Sequence, residues 1–206
     1  MTADASSLWK FVLRIVLWLP PCFAAWYFSA PYHTAAVGAL ARPIVDLVKS
    51  GLLSNSNIAS GLKLPGFDLG FLTTVEIHTA PGATGLLFLK VNPLLYTFGL
   101  AFFLALMLAS RARWWKILAG AALLLPFQSW GIAFELLLQV SVKYGPKISA
   151  QAGFVAWQRE SITLAYMIGK LIFPSLVPVV LWAAFNRPFI KNLLPKPDEP
   201  EPKMDR

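Results

Sequence analysis

Two long apolar runs fill the stretch from Asn92 to Gln139, interrupted only by the basic and aromatic block Arg111-Ala-Arg-Trp-Trp-Lys116. Each run is about 20 residues, enough at about 1.5 Å per residue to cross a hydrocarbon core of roughly 30 Å. This hairpin makes the chain an integral membrane protein. Three positive charges and two tryptophans at its turn mark an interface, and the positive-inside bias assigns that end to the cytoplasm.

Composition agrees with that class. Hydrophobic residues make up 57% of the 206 positions and charged residues only 14%, with a mean hydropathy of +0.60. A water-exposed domain with that balance would aggregate, so lipid must cover much of the surface. The net charge of +8 does not point to nucleic acid, because many of the bases flank apolar runs as topology signals do rather than forming a stripe on a polar domain. A single cysteine, Cys22, rules out an intramolecular disulfide and a cysteine-rich metal site. Cys22 follows Leu19-Pro20-Pro21 and leads into the apolar Phe23-Ala-Ala-Trp-Tyr-Phe28, a context that suits a structural thiol in the membrane rather than a lipidated one. Cleavage after Ala30 is disfavoured by Pro31, so the first apolar segment is expected to be a retained anchor.

Read along the chain, the sequence predicts a mainly α membrane protein with about four transmembrane helices and a small extracytoplasmic segment holding an amphipathic helix and a β-hairpin. The first span covers residues 8–29, flanked by Lys10 and Arg14 at its start and by Trp26, Tyr27 and Tyr32 near its end, with a kink expected at Pro20-Pro21. Residues 31–91 mix both charge signs with Gly and Pro and read as water-facing. Within them, Val37, Leu40, Ile44, Leu47 and Val48 are spaced as an amphipathic helix over His33 to Leu53, interrupted at Pro43. Ser54-Asn-Ser-Asn57 reads as a turn. Strand-like runs Leu69 to His78 and Gly85 to Val91 flank Thr79-Ala-Pro-Gly-Ala83, whose Pro-Gly pair favours a tight reversal. The second span is 92–110, the third 117–140, an outer loop with a short helix 141–160, and the fourth span 161–185. The tail 191–206 alternates proline with charge and is expected to stay disordered. Four spans put both termini in the cytoplasm.

Few residues offer chemistry. Gln128, Glu135 and Gln139 are spaced by seven and four, which sets all three on one helix face turned away from lipid. Lys170 lies inside the fourth span at a depth that, counted from the outer ends, resembles that of Glu135, so the two are expected to pair. Such a pair suits helix packing better than a transport path, which usually has more polar lining. The only histidines, His33 and His78, fall outside the predicted spans and show no metal-ligand spacing. No nucleophile elbow or phosphate loop occurs, and a catalytic Cys22 would need the chain to fold back to bring His33 beside it. The sequence therefore predicts no catalytic residue, no metal and no cofactor.

Several strings resemble a small bacterial family, the exosortase H-associated membrane proteins. They are Leu17-Trp-Leu-Pro20 with Cys22-Phe-Ala-Ala-Trp-Tyr27, Val91-Asn-Pro-Leu94 with Tyr96 and Gly99-Leu100, and Leu125-Pro-Phe-Gln128 with Trp130-Gly131. The resemblance extends to about Pro188. It implies a partner of exosortase, the multi-span thiol transpeptidase that cuts carboxy-terminal sorting signals from exported proteins. It does not imply the transpeptidase itself, which needs a Cys, Arg and His set on its outer side. The expected function is thus a non-enzymatic accessory protein of the bacterial inner membrane that binds another integral membrane protein. A small transporter or channel subunit using Glu135 and Lys170, and an assembly factor for pili or envelope polymers, are the alternatives.

Overall fold

A seam of small and apolar residues organises the first third of the chain. In the computed structural model, which describes residues 2–54, 62–63, 68–80 and 83–193, helix α1 runs unbroken from Thr2 to Val48, about 70 Å at 1.5 Å per residue. Cys22, Trp26, Ala30, Thr34, Val37, Ala41 and Val45 are buried along it. They recur every three or four residues, so one stripe faces the rest of the protein throughout. The span expected at 8–29 and the amphipathic helix expected from His33 are therefore one element, and the helix ends at Val48 rather than near Leu53. Pro20, Pro21, Pro31 and Pro43 all lie inside it. An interior proline costs about 3 kcal/mol through a lost hydrogen bond and a clash with the preceding turn. Here the four prolines sit off the buried stripe, and packing along α3 and α4 outweighs the local penalty.

The expected hairpin forms. Strands β2 (Leu69–Ala80) and β3 (Ala83–Val91) pair antiparallel in the register Leu69↔Val91, Phe71↔Leu89 and His78↔Thr84, with irregularities between Leu72 and Glu76 and between His78 and Ala80. A two-residue strand β1 (Leu62–Lys63) extends the sheet on the β2 edge. The Pro-Gly reversal at 81–82 and the turn expected over residues 55–57 lie outside the described residues. Leu69, Phe71, Thr73 and Val75 on β2, with Leu87, Leu89 and Val91 on β3, are buried, whereas Leu86 and Phe88 are exposed. That alternation turns one face onto a core shared with Val37, Ala41 and Val45 of α1 and with Ile132 to Val140.

The expected second span is two short helices, α2 (Leu94–Thr97) and α3 (Gly99–Ala109), separated at Phe98. Helix α4 (Trp114–Leu138) continues through a π-helical turn, Gln139–Lys143, and a short α5 (Pro146–Gln151) follows. The last apolar stretch begins at Ala156 rather than Ser161: α6 (Ala156–Met167), a second π-helical turn (Ile168–Ile172) and α7 (Phe173–Phe185) form one run, followed by α8 (Arg187–Leu193). Residues 191–193 of the expected tail are thus helical, and 194–206 lie outside the described residues. Among the described residues three helical runs are long and apolar enough to cross a membrane, Leu8–Val48, Trp114–Lys143 and Ala156–Phe185; Leu94–Ala109 is shorter.

Contacts tie the ends of these runs into register. Lys116 Nζ donates to the Phe185 carbonyl oxygen at 2.6 Å and Trp182 Nε1 donates to Ser110 Oγ at 3.2 Å. Phe11 stacks on Trp182 at 5.4 Å and meets Phe189 edge-on at 5.1 Å. The start of α1, the α3–α4 turn and the α7–α8 junction thus share one end. The sheet and α5 share the other, where Lys49 Nζ donates to the Gly153 carbonyl and Gln151 Nε2 to that of Glu76.

Candidate functional site

Glu135 is 9% exposed, in a stretch of α4 buried on all sides from Gly131 onward. An ionised carboxylate there needs donors, and three reach it. Lys143 Nζ lies 2.6 Å from Oε1, Gln139 Nε2 donates to Oε1 at 3.1 Å, and the Tyr96 hydroxyl donates to Oε2 at 3.0 Å. Glu135, Gln139 and Lys143 climb one face at intervals of four, the last carried by the π turn. Gln139 Nε2 also donates to the Lys90 carbonyl at 3.0 Å, which locks the site to β3.

Lys170 does not pair with Glu135. Its Nζ donates to the Tyr166 hydroxyl at 2.7 Å and lies 5.2 Å from the centre of that ring. The Lys116–Phe185 contact explains the difference. Glu135 is nineteen residues beyond Lys116, and Tyr166 is nineteen residues before Phe185, so these two share a level about 28 Å from that end, with Lys170 one helical turn nearer to it. Counting from the outer ends misplaced the lysine, because the last helical run extends farther outward than its hydropathy indicates. Tyr166 then links both cations: Lys143 Nζ lies 5.6 Å from its ring centre.

Gln128, expected on the Glu135 face, serves a different contact. His33 Nε2 donates to its Oε1 at 2.7 Å, which brings the histidine expected outside the spans against α4. Gln128 Nε2 is buried with no hydrogen-bond partner among the described residues. Cys22 is buried on the α1 seam. Among the described residues no three of His, Cys, Asp and Glu come together as a metal site would require.

Close helix approach holds this cluster in place. A Cβ on Gly131 would lie 2.4 Å from the Tyr96 ring, and one on Gly169 would lie 3.1 Å from the Cα of Gly131. Small residues at both positions let α4, α2 and the second π turn come near enough for Tyr96 and Tyr166 to flank the carboxylate. Sequence reasoning found Glu135 and Gln139 but missed Lys143, Tyr96, Tyr166 and His33. Lys143 was findable, since it continues the four-residue spacing past Gln139. The two tyrosines were not, because their roles depend on how separate helices stack.

A groove of about 550 Å³ opens beside the cluster, between the first π turn and α6, lined in part by Val142, Pro146, Leu164 and Met167 with Arg159 and Glu160.

The family model for exosortase H-associated membrane proteins matches residues 5–189, a range that includes every residue of this cluster. No curated protein and no solved structure matches the chain.

Proposed function

Because the chain belongs to the exosortase H-associated membrane proteins, we propose that it is a non-enzymatic accessory subunit of a bacterial exosortase, acting in protein sorting by binding that enzyme within the inner membrane. The observation that carries this reading is the family match over residues 5–189. The residue chemistry supports it. Cys22 is packed on the α1 seam and the His33 ring is engaged by Gln128, so neither forms the exposed thiol and base that transpeptidation needs. The Glu135 cluster is closed on itself by Lys143, Gln139 and Tyr96, as suits a helix-fixing ion pair.

In this reading the chain spans the membrane four times, with α2 and α3 together as the short second span. Both termini and the Arg111 to Lys116 turn are cytoplasmic, and the sheet and α5 face outward. Lys10, Arg14, Arg111, Arg113, Lys116 and Arg187 all fall at the end joined by the Lys116–Phe185 and Phe11–Trp182 contacts, the distribution that the positive-inside bias favours.

The test compares strains lacking the chain with strains carrying Cys22→Ala. Loss of the chain is expected to impair processing of sorting-signal proteins, and Cys22→Ala, at unchanged protein level, to leave it intact. Processing lost in the Cys22→Ala strain would make the chain an enzyme.

A further inference from the structure

The groove of about 550 Å³ between the first π turn and α6 changes character along its length. Leu164 and Met167, 61% and 50% exposed, line one end. Arg159 and Glu160, in the first turns of α6, line the other. Among the described residues neither of these charged side chains is in an ion pair. Ser141 also lines the groove; it is 1% exposed, and its hydroxyl has no hydrogen-bond partner among the described residues. A buried hydroxyl is costly to leave unpaired, so this one calls for a partner from outside the chain.

The Lys116–Phe185 contact sets the level of the groove in the bilayer. Met167 and Leu164 precede Phe185 by eighteen and twenty-one residues, about 27 and 32 Å along the helical run. Glu160 and Arg159 precede it by twenty-five and twenty-six, about 38 and 39 Å. Ser141 is twenty-five residues beyond Lys116 on the neighbouring run, which brings it to about the height of Arg159. A hydrocarbon core of roughly 30 Å counted from that contact ends beside Leu164 and Met167, and the headgroup layer above it reaches Arg159 and Glu160. The groove therefore crosses from the acyl chains to the headgroups and has the polarity of a lipid along the membrane normal.

We infer that this groove holds one phospholipid from the leaflet on the sheet side of the bilayer, and that it selects a headgroup combining a phosphodiester with a primary ammonium, as in phosphatidylethanolamine. Arg159 takes the phosphate through charge-assisted hydrogen bonds, Ser141 donates to a phosphate or ester oxygen, Glu160 accepts from the ammonium, and Leu164 and Met167 flank the start of an acyl chain. Charge complementarity at this level chooses the occupant: two adjacent residues of opposite sign face a headgroup whose two charged groups are joined by a short link. Phosphatidylglycerol would leave Glu160 beside a phosphate with no cation to meet it, and a choline headgroup offers Glu160 a quaternary nitrogen with no N–H to donate. Free phosphate would satisfy Arg159 and leave the apolar end of the groove empty. The inference needs the bundle to cross the bilayer; it does not depend on which protein the chain binds or on which face is outward.

The experiment titrates the purified full-length chain in a non-ionic detergent with phosphatidylethanolamine, phosphatidylcholine or phosphatidylglycerol of matched acyl chains, counts retained lipid by native mass spectrometry and follows thermal unfolding. One phosphatidylethanolamine per chain is expected, with the other two retained about tenfold more weakly. Glu160→Gln, at an exposed position, is expected to bring phosphatidylethanolamine down to the level of phosphatidylcholine without changing the lipid-free unfolding midpoint. Arg159→Gln is expected to lower retention of all three lipids. Ser141→Ala is expected to weaken retention while keeping or raising the lipid-free midpoint, because no hydrogen bond within the chain is lost. Equal retention of the three lipids by the unaltered chain, or a preference for phosphatidylethanolamine that survives Glu160→Gln, would overturn the inference. A lipid-free dimer that Arg159→Gln and Glu160→Gln convert to monomer would assign the groove to a second copy and also overturn it.

Discussion

Replacing Lys143 should destabilise this protein more than replacing Glu135, although the two form one ion pair. At 2.6 Å and an effective dielectric of about 20 the attraction between unit charges is about 6 kcal/mol, and desolvation of the carboxylate cancels most of it. What remains depends on which partner is left behind. Lys143→Met strands a carboxylate whose side chain is 12% exposed, with only the neutral donors Tyr96 and Gln139. Breaking a fully buried pair costs about 3–5 kcal/mol. Because the lysine side chain is 48% exposed, about 2–3 kcal/mol is expected here. Glu135→Gln leaves a lysine that can turn to solvent and keeps an acceptor oxygen for Gln139, while its amide N–H can donate to the Tyr96 hydroxyl, so about 1 kcal/mol is expected. The double variant should recover most of the Lys143→Met loss, a coupling of about 2–3 kcal/mol. Lys170→Met should couple to Glu135→Gln more weakly than Lys143→Met does, with a coupling under about 1 kcal/mol, because Lys170 reaches the carboxylate only through Tyr166. Thermal unfolding of the purified protein in a non-ionic detergent reads all five variants. Strong coupling of Glu135 to Lys170 together with additivity between Glu135 and Lys143 would refute the assignment of the pair.

A Cβ on Gly99 would sit 2.5 Å from the Pro174 carbonyl oxygen, backbone that cannot swing aside, so Gly99→Ala should cost about 1–3 kcal/mol through separation of α3 from α7. Gly145 has φ +88 and nothing within 4 Å of a Cβ, so Gly145→Ala should lose only the backbone strain of about 1–2 kcal/mol; a smaller loss at Gly99 than at Gly145 would argue against the close approach. Topology can be read with alkaline phosphatase fusions: activity is expected after Gly51 and Gly145 and none after Arg113, and the opposite pattern would invert the orientation. Trp182→Phe removes the bond to Ser110 and leaves the stack on Phe11, so a loss of about 1 kcal/mol is expected, checked by the same unfolding measurement.

Local pattern alone determined much of this protein. Apolar run lengths, the basic Arg111 to Lys116 turn and the alternation along Leu69 to Val75 and Leu87 to Val91 identify membrane helices and a hairpin, because helix and strand periodicity and transfer to lipid are properties of short segments. The four-residue spacing of Glu135 and Gln139 likewise marked a buried polar face. Tertiary structure decided the rest. Pro31 reads as a boundary in sequence, yet α1 passes through it because one buried seam from Cys22 to Val45 packs on elements far along the chain. The partner of Glu135 is Lys143 and not Lys170, because the pairing depends on the axial register between α4 and the last helical run, set by Lys116 on Phe185 and by Gly131 against Gly169. Hydropathy reports how deep a residue lies on its own helix. It carries no information about how far neighbouring helices slide past each other, and a charge pair inside a bundle is chosen by that offset.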